Sequence, residues 1–271
     1  MTNAYISANF QIGPLGSLYP DIAFIMEGDS PCILHTMQNG LNGGPLDHPE
    51  WGGWGGRYAL LDLTRQSMLY TDTNDVVVGK DNATWSSNHA TIWRWRQAFQ
   101  DEMSARVQWS VLGEYGAGSH PPVVGVNGSC GSAPFEVEVW PGEVVTLDAS
   151  GSWDPDGNLT GKNELRFKWF HYWEITTLQG NRGEVPQLNF TLSGDRLGSV
   201  ATTTLPTADL ACAAPPGLWQ PEGIQEICQQ YHVILEVTGS GTPPIRRYKR
   251  VILKVQPPSA ASDRNVKRDE L

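Results

Sequence analysis

From about residue 120 onward, the sequence consists of short runs in which apolar and polar residues alternate, separated by turn residues. Side chains alternate across a β-strand, so each run predicts a strand with one apolar face. Regular spacing of such strands predicts an all-β sandwich. The runs are residues 135–140, 142–149, 165–174, 199–205, 231–238 and 247–255. The third run places a set of large side chains on one face, namely Leu165, Phe167, Trp169, His171 and Trp173.

The first part of the chain begins with a strand–turn–helix pattern. Residues 21–26 form a short apolar run that predicts a buried strand. Ser30-Pro31 then has the pattern of a helix N-cap followed by proline at the first helical position, and Gly40 ends the helix. Ligands of open α/β sheets bind at the carboxyl ends of strands. The carboxylates in the turn, Glu27 and Asp29, are therefore candidate site residues.

A second helix is predicted over residues 90–107, because its apolar residues recur at spacings of three and four. These residues are Ile92, Trp95, Phe99, Met103 and Val107. One strand and two helices cannot close a doubly wound sheet. We therefore expect residues 1–118 to be the C-terminal portion of a larger α/β domain, residues 119–257 to form the sandwich, and residues 258–271 to be a disordered tail.

Charge and composition limit the partners. The chain has 29 acidic and 19 basic residues, a net charge of −10, which disfavours nucleic acid and anionic membrane surfaces. No apolar run reaches the length of a membrane span. The chain also has 11 tryptophans, which either build a large core or stack on sugar rings.

The cysteines and the sequons favour an oxidising compartment. Cys212 and Cys228 flank one loop, and a disulfide between them would stabilise the fold by roughly 3 kcal/mol. We expect Cys32 and Cys130 to stay unpaired. Four sequons predict glycosylation in the secretory pathway. They begin at Asn82, Asn127, Asn158 and Asn189.

The two chain ends give opposite indications about secretion. The chain ends in Arg-Asp-Glu-Leu, a variant of the signal that retains proteins in the endoplasmic reticulum lumen. Its first residues have neither the basic nor the apolar region of a signal peptide. We expect a secretory or extracellular protein whose true N-terminus lies further upstream.

A glycine-rich loop at residues 48–58, HPEWGGWGGRY, holds the other candidate site residues. Trp51 and Trp54 lie three residues apart among glycines, which allow the rings either to be exposed for sugar stacking or to pack into a rigid loop. His48 and Arg57 could donate hydrogen bonds to a glycan. All four are candidate substrate-binding residues, and both interpretations of the tryptophans remain open.

Three runs resemble a known family: residues 19–31, residues 49–58 and residues 92–96. Together they look like the cellulose-binding-protein-like family, whose members join a nucleoside-hydrolase-like domain to a C-terminal β-sandwich. The segment at residues 147–157, LDASGSWDPDG, resembles immunoglobulin-like repeats of the polycystic-kidney type. The resemblance implies an α/β fragment of a nucleoside-hydrolase-like domain followed by an all-β immunoglobulin-like sandwich, with carbohydrate as the partner.

The resemblance also implies a calcium-dependent chemistry. In nucleoside hydrolases, calcium holds the ribose hydroxyls and the attacking water. Asp29 would match a late calcium ligand, and Glu27 would be a second oxygen donor or an acid/base; alternatively, Asp29 only stabilises the helix N-terminus. The upstream aspartate cluster of that family is absent from this sequence. We therefore expect a truncated glycosyl-bond hydrolase that is inactive alone, with a non-catalytic glycan-binding or adhesion module as the alternative.

A second calcium site is conceivable in the sandwich. It would use Asp148, Asp154 and Asp156, although Asp154-Pro-Asp-Gly is more commonly a β-turn between strands.

Overall fold

The structure is a computed structural model, and it describes residues 2–23, 30–41, 48–62, 64, 66–79, 81–157, 164–176, 185–196, 198–213 and 227–258. Six α-helices lie within these residues. They are α1 Asn3–Asn9, α2 Gly13–Gly16, α3 Ser30–Thr36, α4 Ala90–Trp93, α5 Arg96–Trp109 and α6 Ala208–Ala211.

Both predicted helices are present, with changed bounds. Helix α3 begins at Ser30, one residue before the predicted first helical position, and ends at Thr36, before the predicted end at Gly40. The helix predicted over residues 90–107 is divided into α4 and α5, with the break at Arg94 and Trp95. The break buries the Trp95 indole in a core and lets Arg94 pair with buried carboxylates. Of the strand predicted at residues 21–26, residues 24–26 lie outside the described part of the chain, and residues 21–23 are not a strand.

Two β-hairpins that the sequence patterns did not predict lie between α3 and α4. The first pairs β1 (Tyr58–Leu60) with β2 (Tyr70–Asp72), and the second pairs β3 (Asp75–Val78) with β4 (Thr84–Ser87). In the second hairpin Val77 lies directly opposite Trp85. Two-stranded hairpins are marginally stable on their own. Both therefore depend on what they pack against.

Each of the six strands predicted after residue 120 has a counterpart. The strands of the two large sheets are β7 Phe135–Val139, β8 Val144–Asp148, β9 Arg166–His171, β10 Thr191–Ser193, β11 Val200–Thr204, β14 Gln230–Thr238 and β15 Arg246–Val255. The larger sheet has four strands in the order β7, β15, β14, β9, in which β7 runs parallel to β15 and the other pairs are antiparallel. The three-stranded antiparallel sheet has the order β10, β11, β8. Two small hairpins are added by β5 Gly125–Val126 with β6 Ser129–Cys130, and by β12 Cys212–Ala213 with β13 Ile227–Cys228.

Both faces of the four-stranded sheet are buried. On β14, alternate residues such as Val233 and Leu235 join a core shared with the three-stranded sheet. From the opposite face, Ile234 on β14 and Tyr248 on β15 join a second core with Trp54 of the glycine-rich loop and residues of α3 and α5. A strand buried on both faces has consecutive apolar residues, and β14 contains the apolar run Val-Ile-Leu at residues 233–235. The N-terminal part therefore packs on the outer face of the sheet.

The predicted disulfide between Cys212 and Cys228 is present, and the two residues lie directly opposite each other in the β12–β13 hairpin. Cys130 is a free, exposed cysteine. The side chain of Cys32 lies outside the described residues, so its predicted unpaired state stays a prediction. Within the part of the chain that the structure describes, no helix is long and apolar enough to cross a membrane.

Candidate functional site

The glycine-rich loop begins with a stack of two aromatic rings. Residues Pro49–Trp51 form a single 3₁₀ turn, which brings the His48 ring parallel to the Trp51 ring at a centroid distance of 3.7 Å. His48 Nδ1 and Glu50 Oε1 are 2.9 Å apart, and both side chains are partly exposed. A carboxylate at this distance accepts a hydrogen bond from Nδ1–H, which fixes the proton of the ring on Nδ1.

A buried arginine fixes this loop to the sheet. Arg250 on β15 is fully buried and donates hydrogen bonds to the carbonyl oxygens of Trp51 and Gly52, each at 3.0 Å, and of Leu41. It also donates to His232 Nδ1 at 3.1 Å. Burial lowers the pKa of Arg250 to about 9, so the guanidinium stays charged at neutral pH. One face of Trp51 is thus covered by His48, and Arg250 and His232 pack against the ring from within the protein.

Two neighbouring histidines are held neutral, and this predicts a pH dependence of stability. Burial lowers the pKa of His171 to about 4, and burial together with Arg250 lowers the pKa of His232 well below 6.5. In the unfolded chain both groups titrate near 6.5, so below that pH the unfolded state binds more protons than the folded state. Their contribution to the free energy of unfolding is complete above pH 6.5. As the pH is lowered below 6.5, this contribution decreases by about 1.4 kcal/mol per pH unit and per histidine, until the pH reaches the pKa of that histidine in the folded protein.

We expect denaturant unfolding at pH 5 to show a clearly lower free energy of unfolding than at pH 7. The variant His171→Gln, which has no titratable ring, should show a shallower dependence between these pH values. An equal dependence in the variant would remove His171 from this account.

Two of the predicted binding residues have structural roles instead. Trp54 is only 1% exposed and packs edge-on against Phe99 and Tyr248, so no sugar can stack on it in this conformation. Arg57 is buried, and its Nε donates to Asp75 Oδ1 at 2.7 Å while Nη2 donates to the carbonyl oxygen of Asn74 at 2.7 Å. The packing alternative for the loop is therefore correct for Trp54, and Arg57 is committed to an ion pair.

Asp75, the first residue of β3, is the centre of a buried polar network. Its carboxylate is completely buried and accepts hydrogen bonds from Arg57 Nε at 2.7 Å, Arg94 Nη1 at 2.8 Å and the Tyr172 hydroxyl at 2.6 Å. Arg94 also pairs with Glu174 at 3.1 Å. Burial raises the pKa of Tyr172, so the phenol remains a donor. The network joins the glycine-rich loop, the β3–β4 hairpin and α4 to the segment that follows β9.

The predicted metal ligands are only partly within the described structure. Glu27 and Asp29 lie outside the described residues. In the sandwich, Asp154 accepts hydrogen bonds from the backbone N–H groups of Asp156 and Ser240, and Asp156 accepts from the N–H and ring of His120. Among the residues that the structure describes, no group of three or more His, Cys, Asp or Glu side chains could hold a metal ion. The described aspartates thus act in turns and hydrogen bonds.

Among the tryptophans that the structure describes, the most exposed lie elsewhere; Trp93 and Trp153 belong to runs that carry the family resemblance, whereas Trp85 was not singled out from the sequence. Trp85 on β4 is 51% exposed, and Trp93 on α4 is 48% exposed. Val76 and Val78 of the same hairpin are also exposed. A third exposed indole, Trp153, lies on the sandwich and is 52% exposed. The available signal was local: Trp85 lies in a short alternating segment, TWSS, behind the turn residues Asp81-Asn82, which is a hairpin pattern.

Comparison with known proteins gives two family matches in one chain. Residues 1–58 match the nucleoside hydrolase-like domain of the cellulose-binding protein Sde182, and residues 144–255 match the C-terminal domain of the cellulose-binding protein Sde0182. A solved structure, a nucleoside hydrolase-related hypothetical protein from Saccharophagus degradans described as associated with carbohydrate metabolism, is 26% identical with a TM-score of 0.65. The match covers 94% of this chain and 54% of that protein, so this chain spans about half of the relative's length. No curated protein matches.

The fold and the comparisons define the class of the protein: it is a mixed α/β structure with several sheets, similar in fold to a nucleoside hydrolase-related protein. Both ends of the chain match domain models of the cellulose-binding Sde0182 proteins, the nucleoside hydrolase-like domain first and the C-terminal domain second, which is the order predicted from the sequence. The domain boundary near residue 118 stays a prediction. The family and the disulfide indicate an extracellular protein and do not support retention in the endoplasmic reticulum.

Proposed function

We propose that this protein binds neutral polysaccharide of the cellulose type through Trp85 and Trp93. The observation that carries the proposal is that two half-exposed indoles lie on adjoining elements, the β3–β4 hairpin and α4. An indole offers a flat apolar face with one N–H at its edge, which suits the apolar face of a sugar ring and its hydroxyl groups. Val76 and Val78 are exposed on the same hairpin, and an exposed apolar patch of several side chains on adjoining elements marks a candidate binding surface.

The chemistry around the two indoles favours a neutral ligand. Within residues 75–93 the charged side chains are Asp75, Lys80 and Asp81, and Asp75 is buried in ion pairs. Thr84 and Ser86 are also exposed, but they alternate with Trp85 along β4 and so lie on the other face of the strand. The net charge of −10 disfavours polyanions. A neutral glucan can stack on the apolar rings without a charged partner.

We expect Trp85→Ala and Trp93→Ala each to weaken binding to cellulose by at least about 10-fold, because truncating an anchoring tryptophan costs about 1.4 kcal/mol or more. Depletion of the protein from solution by insoluble cellulose measures this. Trp153→Ala is the matched control, because Trp153 is equally exposed but lies on the sandwich. Unchanged depletion by both hairpin variants, or an equal loss in Trp153→Ala, would refute the proposal.

A second candidate function is hydrolysis of a glycosyl bond. It is favoured by the match to the nucleoside hydrolase-like domain, since residues 1–58 include Glu27, Asp29, His48, Trp51, Trp54 and Arg57. In this function Asp29 would be a calcium ligand, Glu27 an acid or base, and the paired His48 and Glu50 would face the substrate. Calcium-dependent release of a base or sugar by a longer chain that contains these residues would support it. Turnover unaffected by Asp29→Ala would remove Asp29 from the site.

We further propose that the two large sheets form an immunoglobulin-like sandwich and that the protein is a secreted glycoprotein. The shared core between the sheets supports the first proposal. Asn82, Asn127 and Asn189 are exposed, which supports glycosylation at these sequons, whereas Asn158 lies outside the described residues. A mass decrease of the secreted protein on treatment with an N-glycosidase tests the second proposal, and an unchanged mass would contradict it.

A further inference from the structure

We infer that Glu174, a residue of the C-terminal half of the chain, is a positioning residue for the polysaccharide-binding surface of Trp85 and Trp93; this inference rests on the proposed function. Glu174 follows β9 and is almost completely buried. Its Oε1 accepts a hydrogen bond from the backbone N–H of Val76 at 3.1 Å. The same carboxylate accepts from Arg94 Nη2 at 3.1 Å and Nη1 at 3.4 Å.

These contacts attach both tryptophan-bearing elements to one carboxylate. Val76 lies on β3, which pairs with the strand that carries Trp85. Arg94 directly follows Trp93 at the end of α4. Glu174 therefore contacts the hairpin through the backbone N–H of Val76, and it contacts α4 through Arg94, the residue that follows this helix. The sequence separations are 98 and 80 residues, so the attachment comes from a different part of the chain.

Neither element can hold its own geometry. A two-stranded hairpin of four residues per strand is marginal in water, and so is a four-residue helix. If their attachment is lost, the two indoles must be ordered when the polysaccharide binds, and that ordering reduces affinity. Asp75 also ties β3 and Arg94 to Tyr172. Loss of the Glu174 contacts should therefore loosen the two elements without detaching them, and weaken binding although Glu174 is buried away from the two indoles.

Glu102 on α5 offers a matched control. Its carboxylate is completely buried and pairs with Arg247 of β15 at 2.8 Å and with Arg106 at 2.8 Å. Like Glu174, it joins the N-terminal part to the four-stranded sheet through a buried ion pair. Unlike Glu174, it makes none of its hydrogen bonds to the β3–β4 hairpin or α4. A general loss of stability should therefore follow from either substitution, but loss of positioning only from Glu174.

The experiment compares three variants: Glu174→Ala, Glu174→Gln and Glu102→Gln. The melting temperature of each is measured first. Cellulose binding and hydrogen exchange of residues 75–93 are then measured well below that temperature. We expect Glu174→Ala to weaken binding by about 10-fold and to speed exchange in this segment. Glu174→Gln keeps an acceptor for the Val76 N–H and should recover part of both. Glu102→Gln should lower the melting temperature but keep affinity within about 2-fold of the unmodified protein.

The outcomes separate this inference from the proposed function. Unchanged exchange of residues 75–93 in Glu174→Ala, or an equal loss of affinity in Glu102→Gln, overturns the positioning role. Faster exchange together with unchanged affinity also overturns it, because positioning would then not serve binding. In a further outcome, Trp85→Ala and Trp93→Ala bind cellulose as tightly as the unmodified protein, while residues 75–93 exchange faster in Glu174→Ala. The proposed binding surface is then wrong, and the positioning role of Glu174 is overturned as well.

Discussion

Asp75→Asn is expected to lower the free energy of unfolding by about 3–5 kcal/mol, as is typical when one partner of a buried ion pair is removed. The substitution preserves shape but removes the negative charge that Arg57 Nε and Arg94 Nη1 contact at 2.7 Å and 2.8 Å. The Tyr172 hydroxyl also loses a charged acceptor. Glu174 still faces Arg94, so the Arg57 guanidinium is the charge left without compensation.

Chemical denaturation of Asp75→Asn beside Glu136→Gln measures the effect. Glu136 forms a surface ion pair with Lys254, and its removal should cost less than about 1 kcal/mol. Equal midpoints for the two variants would show that the network around Asp75 contributes no more than an exposed pair.

Arg250→Met is expected to lower the free energy of unfolding by about 3 kcal/mol or more. Two effects oppose each other. Removing a fully buried guanidinium relieves its desolvation, which is the cause of its lowered pKa. The carbonyl oxygens of Leu41, Trp51 and Gly52, together with His232 Nδ1, lose their donor, and each orphaned group costs about 1–3 kcal/mol. Four orphaned acceptors outweigh one relieved charge.

Urea unfolding and near-ultraviolet circular dichroism test this prediction together. The dichroism should change, because Arg250 holds the carbonyl oxygen of Trp51 and packs against its ring. Arg106→Met is the control, since Arg106 is half-exposed and Glu102 keeps its ion pair with Arg247, so the loss of stability should stay below about 1 kcal/mol. A stability of Arg250→Met within 1 kcal/mol of the unmodified protein would contradict the assigned role of Arg250.

The features that the sequence predicted correctly depend on local patterns. Alternation of apolar and polar residues located six of the seven strands of the two large sheets, all except β10. Ser30-Pro31 located the start of α3 to within one residue, and the shared loop of Cys212 and Cys228 predicted their disulfide. Each of these signals lies within a few residues of the feature it predicts or in a single loop.

The features that the sequence could not give depend on tertiary contacts. Trp51, Trp54 and Arg57 have the same pattern whether they face solvent or a second part of the chain, and here β14 and β15 cover Trp54. Asp75, Arg94 and Glu174 are brought together by folding across about one hundred residues, so no spacing rule connects them. The exposure of Trp85 and Trp93 likewise depends on tertiary packing, which a local sequence pattern does not determine.

The most direct test of polysaccharide binding is residue-resolved oxidation of tryptophan, read by mass spectrometry with and without a soluble cellulose oligosaccharide. Bound sugar should protect Trp85 and Trp93, which are exposed in the free protein, and leave Trp153 as reactive as before. Trp54 and Trp95 are buried and should react little in either state. Equal oxidation of Trp85 and Trp93 at saturating oligosaccharide, or protection confined to Trp51 or Trp153, would contradict the account.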